Sequence, residues 1–315
     1  MRPGRRPLAR ALAILAAPWT LAAQEGIVPV IGGLPFDSGL ALGVEYRKPE
    51  LVGYWLDFGA KAIASTKKYE FLEVRLAAPR LAGKRLFAET EFRYRNFPED
   101  DFWGIGHKSA RESRTTFRLE DFTAQGSFGV RPVRWLEAGV TGGMLNVNTG
   151  PGKDKDRPSI EERFTAADTP GLDRQPDYYL SGAFVRADYR DDAAHPRSGG
   201  WYELRWTRFH DRDLGRHQFH RFHADLRHFV PSFRERDVVA LRAVAVVSER
   251  GAGRSVPFFL QPTVGGGGDL RGYHQYRFRD ENALAFNLEG WTAVNGERPY
   301  LGSLVRQGRT IQACE

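Results

Sequence analysis

Cysteine is almost missing. Cys314 is the only one in 315 residues, so no internal disulfide can staple the fold. Long apolar runs are missing too. After residue 24 no stretch approaches 18 uncharged apolar residues, which argues against helical membrane spans. Mean hydropathy is −0.47 and charged residues make up 27%, values that alone would describe a soluble protein. No basic block or aromatic RNA-binding signature accompanies the net charge of +7, so nucleic acid is not an expected partner. The same excess of cations suits an anionic membrane surface. The glycine run 265–268 is not followed by Gly-Lys-Ser/Thr, so a flexible loop is expected there and not a phosphate cradle. His217, His220, His223 and His228 lack metal-site spacing. On a strand, His217 and His223 share a face but sit roughly 20 Å apart. No cofactor and no metal are therefore expected. No nucleophile motif frames a serine, histidine and acid, and Cys314 is a weak nucleophile candidate.

What is present points to strands. Thirty-four glycines and 12% aromatic residues lean toward an all-β fold. Arg2, Arg5, Arg6 and Arg10 precede a short apolar run, 11–17, and small residues follow, which predicts a signal peptide over 1–23. Beyond it, apolar and polar residues alternate. Leu86, Ala88, Thr90, Phe92 and Tyr94 share one face; Arg85, Glu89, Glu91, Arg93 and Arg95 share the other with Phe87. Ala183, Val185 and Ala187 likewise oppose Arg186 and Asp188. Tyr202, Leu204 and Trp206 oppose Glu203, Arg205 and Thr207. Phe222, Ala224 and Leu226 oppose Arg221, His223, Asp225 and Arg227.

A soluble sandwich alternates as well. These runs are longer than the five or six residues typical of its strands, and roughly nine to eleven tilted residues cross a bilayer. An antiparallel transmembrane barrel is therefore expected over 27–291, with a greasy outside and a charged lumen. About twelve strands are predicted, near 27–32, 39–47, 53–64, 69–77, 84–96, 114–130, 134–147, 178–190, 201–210, 217–230, 237–249 and 282–291. Short turns alternate with long loops, as in barrels whose long loops face outward. After Trp291 the alternation stops, so 292–315 is expected to be an irregular tail.

The most informative stretch is 258–289. A glycine run leads into Leu270-Arg271-Gly272-Tyr273, and a strand with Glu289 on its polar face follows. Arg271 stays charged at any relevant pH, and its planar fork matches a carboxylate. This stretch resembles the BamA/TamA family of outer-membrane proteins, the bacterial surface antigen barrels. Phe102-Trp103-Gly104-Ile105-Gly106 resembles that family's aromatic-aromatic-Gly-x-Gly segment. Asp188-Tyr189-Arg190-Asp191, with Pro196 and Gly199, resembles its Asp-x-Arg-Asp…Pro-x-x-Gly turn.

The resemblance implies a sixteen-stranded barrel type whose long loop folds into the lumen between the eleventh and twelfth strands. It implies that Arg271 latches that loop to Glu289 on the wall, as structure and not catalysis. Truncating such a pair, if buried, costs about 3–5 kcal/mol. It implies a role in inserting or translocating outer-membrane proteins or lipids, using a weak seam between first and last strands. Its partners would be outer-membrane lipid and lipopolysaccharide, with unfolded client proteins or periplasmic subunits. A passive channel or structural surface barrel is the alternative, and a barrel-borne hydrolase the second. Three departures from the family are expected. There is little room for soluble periplasmic domains ahead of the barrel, about four strands are lacking at the end, and no second wall acid follows Glu289.

Overall fold

A computed structural model describes residues 25–232 and 237–292. The expected signal peptide lies outside the described residues, as do Cys314 and all but the first residue of the expected tail. Alternating residues pair into one antiparallel sheet in chain order. Its members are β1 (Gly26–Ile31), β2 (Ala41–Lys48), β3 (Asp57–Ser65), β4 (Glu70–Arg80), β5 (Leu86–Phe102), β6 (Thr115–Val133), β7 (Leu136–Pro151), β8 (Tyr178–Asp188), β9 (Gly199–Asp211), β10 (Phe219–Pro231), β11 (Asp237–Arg250) and β14 (Ala283–Thr292). Between the last two, β12 (Thr263–Val264) and β13 (Phe278–Arg279) form a small hairpin of their own.

Twelve strands stand where twelve were expected. Strands β4 to β11 run from 11 to 19 residues, long enough to cross a bilayer at a tilt. Each pairs only with its neighbours in sequence; among the described residues the sheet does not close, and β1 and β14 are its edges. Among the described residues no helix is long and apolar enough to cross a membrane.

The connections separate the two rims. Residues 134–135 are a short turn on one rim; 103–114, 152–177 and 251–282 are long loops on the other. The long-loop rim is the outward one for barrels of this kind. Period-two alternation then decides the faces. Phe92, Leu204 and Phe222 stand on the outer surface at 40%, 57% and 44% exposure. Inside, Arg75 pairs with Glu89 at 2.6 Å, Arg95 with Asp121 at 2.7 Å and Arg186 with Glu203 at 2.6 Å.

One expectation needs correction: the lumen is not charged along its whole length. Toward the long-loop rim its wall turns apolar. Phe102, Phe117, Leu119, Leu145, Val147, Tyr178, Phe209 and Phe219 point inward there. Ile160, Val256, Phe258 and Phe259 from the two longest loops bury against them. Inward-facing apolar residues cost nothing once loops exclude water from them. This roof is the molecule's main core.

Candidate functional site

The loop 251–282 enters at the roof. Phe258 is fully buried, with its ring 4.9 Å from Phe117 and 5.4 Å from Phe102, both edge-on. Then β12 pairs with β13, and the chain between them, 265–277, descends into the lumen. Here the first glycine of the run departs from the flexible loop expected of it, while a Cβ at Gly267 or Gly268 would meet open space. Gly265 has φ +140°, and a Cβ there would collide with the carbonyl oxygen of His274. Glycine is required so that the two arms can close on each other.

At the tip, Arg271 Nη2 donates to Glu289 Oε1 on β14, and Trp291 Nε1 donates to Glu289 Oε2 at 2.9 Å. Six residues separate Ala283, where β14 starts, from Glu289, so the tip reaches about 20 Å below the rim. Leu270 and Gly272 flank the arginine, and the Tyr273 ring lies 5.3 Å from that of Phe278. Among the described residues the Arg271 side chain is 38% exposed and that of Glu289 16%, beside β14 at the edge of the sheet. The cost of breaking the pair falls accordingly.

Sequence reasoning missed several partners of this tip. Asn287 Nδ2 donates to the Asp269 carbonyl at 2.7 Å. Arg242, directly opposite Asn287 on β11, donates to the Gly268 carbonyl at 3.1 Å and to Asp269 Oδ1 at 3.3 Å. Its other contacts go to Asp225 on β10, 3.0 Å away, which also pairs with Arg227. Asp225 thus supplies a second wall acid, acting through Arg242. Asn287 and Glu289 share a face two residues apart, a signal visible in the sequence. The position of Asp225 across two strands was not.

The segment Phe102-Trp103-Gly104-Ile105-Gly106 meets the same loop higher up. Trp103 is buried between the guanidinium groups of Arg114 and Arg277, 5.2 and 5.6 Å from its ring centre. Such cation–ring contacts contribute about 0.5–2 kcal/mol each. Arg277 donates to Ser109 Oγ at 2.8 Å and to the Ser109 carbonyl at 2.6 Å, and the Gly106 amide donates to the Arg279 carbonyl at 2.7 Å. Gly104 sits where a Cβ would come 3.3 Å from the Phe164 ring. Arg279 is buried beneath the roof and donates to the Phe258 carbonyl at 2.7 Å.

The second family-like motif lies far away, on the short-turn rim. Arg190 grips Asp188 with two hydrogen bonds, at 2.8 and 2.7 Å, and Asp191 Oδ1 accepts from the amides of Arg197 and Ser198. Pro196 is buried in the turn. Gly199, at φ +91°, lies so close to Tyr189 that a Cβ would strike its carbonyl oxygen. This motif shapes a hairpin and does not join the loop site.

Among the described residues, the pair nearest to hydrolytic form is Ser255 with His217, whose Oγ and Nδ1 are 3.1 Å apart. Asp211 contacts the backbone amide of His217 and not its ring, so it cannot orient the imidazole. Burial also lowers the imidazole's affinity for a proton below its ordinary value. The arrangement braces a loop. The other histidines are scattered: His220 stacks on Trp206, His228 Nδ1 lies 2.8 Å from the Tyr202 hydroxyl, and among the described residues no metal-holding cluster forms.

The Omp85 superfamily domain matches residues 42–288. No curated protein matches the chain in sequence. Its fold is shared with solved structures, among them the following two. BamA from Haemophilus ducreyi lacking POTRA domains 1-3 gives a TM-score of 0.61 at 11% identity, over 86% of this chain and 53% of that one. CdiB from Acinetobacter baumannii gives 0.50 at 12% identity, over 85% of this chain and 46% of that one. The chain therefore spans about half the length of these structures, and at such identity they speak to the fold alone.

Proposed function

The chain belongs to the Omp85 superfamily, a family of outer-membrane β-barrels, and on that premise we propose that it promotes insertion or translocation of proteins or lipids at the outer membrane. One observation carries this reading: a loop enters beneath an apolar roof and is hooked to the wall by Arg271 and Glu289. A passive channel needs a wetted path to the outside. Here Phe258 and Phe259 of the loop pack on Phe102 and Phe117 of the wall at the long-loop end. Packing of this kind costs several kcal/mol to open, which suits a barrel whose work is done at its wall and periplasmic side. Unfolded client proteins, with or without periplasmic subunits, are the partners this reading calls for.

The test uses the full chain, folded and reconstituted in liposomes, with an unfolded outer-membrane β-barrel protein as client. Client folding is read by the gel shift between heated and unheated samples, and conductance is measured in planar bilayers with the same preparation. Client folding several-fold faster than in empty liposomes, with little conductance, supports the proposal. Steady conductance with no effect on the client would favour the channel instead.

A further inference from the structure

We propose that the outer surface of β8–β10, just above the lipid belt at the long-loop rim, binds the phosphate groups of an outer-leaflet lipid. This inference rests on the membrane-barrel reading and assigns it a site.

The strand register places the residues. One lateral row on the outer face reads Ala183, Trp206, Phe222 and Val247, on β8, β9, β10 and β11. It is wholly apolar and belongs to the belt. Two residues higher, about 7 Å along the strands, the next row reads Ser181, Arg208, His220 and Glu249. Above that, Tyr179 lies opposite His210, and Arg212 sits over the Tyr179 ring at 4.6 Å. The change from greasy to cationic is therefore abrupt, and it falls where headgroups begin.

Arg212 has the Tyr179 ring and His210 has Gln218, but two polar atoms between them have no hydrogen-bond partner among the described residues. Among the described residues the Arg208 guanidinium makes no ion pair or hydrogen bond, and its Nε is buried and unsatisfied. His220 Nδ1, directly across from Arg208, is unsatisfied too, while its ring rests on Trp206 with centroids 5.6 Å apart. Arg208 Nε–H can only donate, so it is left open to an acceptor from outside the chain, and His220 Nδ1 can donate to the same acceptor in one tautomer. Glu249 is the one acid bordering the row.

The rest of this rim differs. On β4 to β7 the outward polar residues satisfy one another. Asn96 donates to Glu70, Arg118 donates to Asn96 and Glu120, and Tyr94 and Asn148 donate to Glu120. At the opposite rim of β8–β10, Tyr189, Tyr202 and His228 form a hydrogen-bonded chain with no guanidinium in it. Of these three surfaces, the β8–β10 face at the long-loop rim is the one with a spare arginine among the described residues. Arginine binds phosphate with charge-assisted, paired hydrogen bonds, and the aromatic rings beside it suit an interface between water and lipid.

The test compares the folded full-length chain with the double variant Arg208→Gln/Arg212→Gln. The probes are bis-phosphorylated lipid A, the same lipid with its phosphates removed, and inorganic phosphate, with bound lipid counted by native mass spectrometry. Flotation with zwitterionic vesicles, lacking the probe, checks insertion separately. The expected result is phosphate-dependent binding to the wild type, at least tenfold weaker in the double variant, and stronger binding by Glu249→Gln. Should the double variant fail to fold, loss of wild-type binding on removing the lipid's phosphates carries the same support. If the chain floats but both forms bind both lipids alike, or inorganic phosphate alone competes at equal concentration, this inference is overturned and the barrel reading stands. A chain that does not float overturns both.

Discussion

Two regions hold the same loop by opposite means. At the top, Phe258 and Phe259 sit among rings and are shut off from water. At the bottom, Arg271 and Glu289 meet at a charged wall with the arginine partly exposed. Burial is worth more than an exposed ion pair, since apolar transfer contributes about 25 cal/mol per Å² while exposed pairs contribute about 0–1 kcal/mol. The roof thus supplies most of the energy that keeps the loop in, and the latch fixes where its tip lies. A loop held firmly at the mouth and lightly at the tip can release its tip without unfolding.

The largest expected effect comes from breaking the roof. Phe258→Ala removes a fully buried ring from between Phe102 and Phe117, and a loss of about 3–5 kcal/mol is expected in urea unfolding of the reconstituted protein. Conductance should rise in the same variant. Phe222→Ala, on the outer face, is the control and should change stability far less. Similar losses for both would mean that the roof is not a core. Arg279→Ala comes next. It strips the roof's buried cation from near Asp100, which is also buried, and leaves that carboxylate with Arg95 as its remaining neighbouring cation. About 3 kcal/mol is expected at neutral pH, and recovery in the double variant Arg279→Ala/Asp100→Asn would confirm the cause.

The sheet was legible because alternation survives wherever one face meets lipid. Eleven strands of the sheet lie within four residues of their expected spans, and β5 runs six residues further, to Phe102. The roof was not legible, because Phe117, Leu119 and Phe209 obey the same period as lipid-facing residues. Nothing in a single strand says that a distant loop will cover its inner face. The tetrad and Glu289 could be paired from local pattern. The clamp of Trp103 between Arg114 and Arg277 joins three segments without shared periodicity, so no local signal exposes it. Gly265 was read as free, yet its role comes from the close approach of His274, again a long-range fact.

A smaller effect sharpens the contrast at the latch. Arg271→Ala should cost about 1 kcal/mol or less, given the exposure of the arginine. The coupling in a double-mutant cycle with Glu289→Gln should shrink further in 1 M salt, where the Debye length is about 3 Å. The Phe258→Ala loss should not shrink. A latch coupling of several kcal/mol that ignores salt would show that the tip is sealed from water and would reverse the ranking of the two regions.

The smallest effect lies outside both regions and shows what charge does with no roof above it. Asp173, in loop 152–177, accepts a hydrogen bond of 2.6 Å from Arg216, in loop 212–218, and both side chains are more than 40% exposed. That bond holds the carboxyl below its ordinary range. A carboxylate with a lowered folded-state value stabilises the fold fully above its unfolded value, near 3.9, and loses that contribution as pH falls through the folded value. Asp173→Asn should therefore cost a few tenths of a kcal/mol at every pH from about 5 to 8. The gap between wild type and variant should close below about pH 4, read by urea midpoints across the series. A gap that stays open at pH 2 would mean that Asp173 acts by packing, and the surface loops would then share the roof's physics and not the latch's.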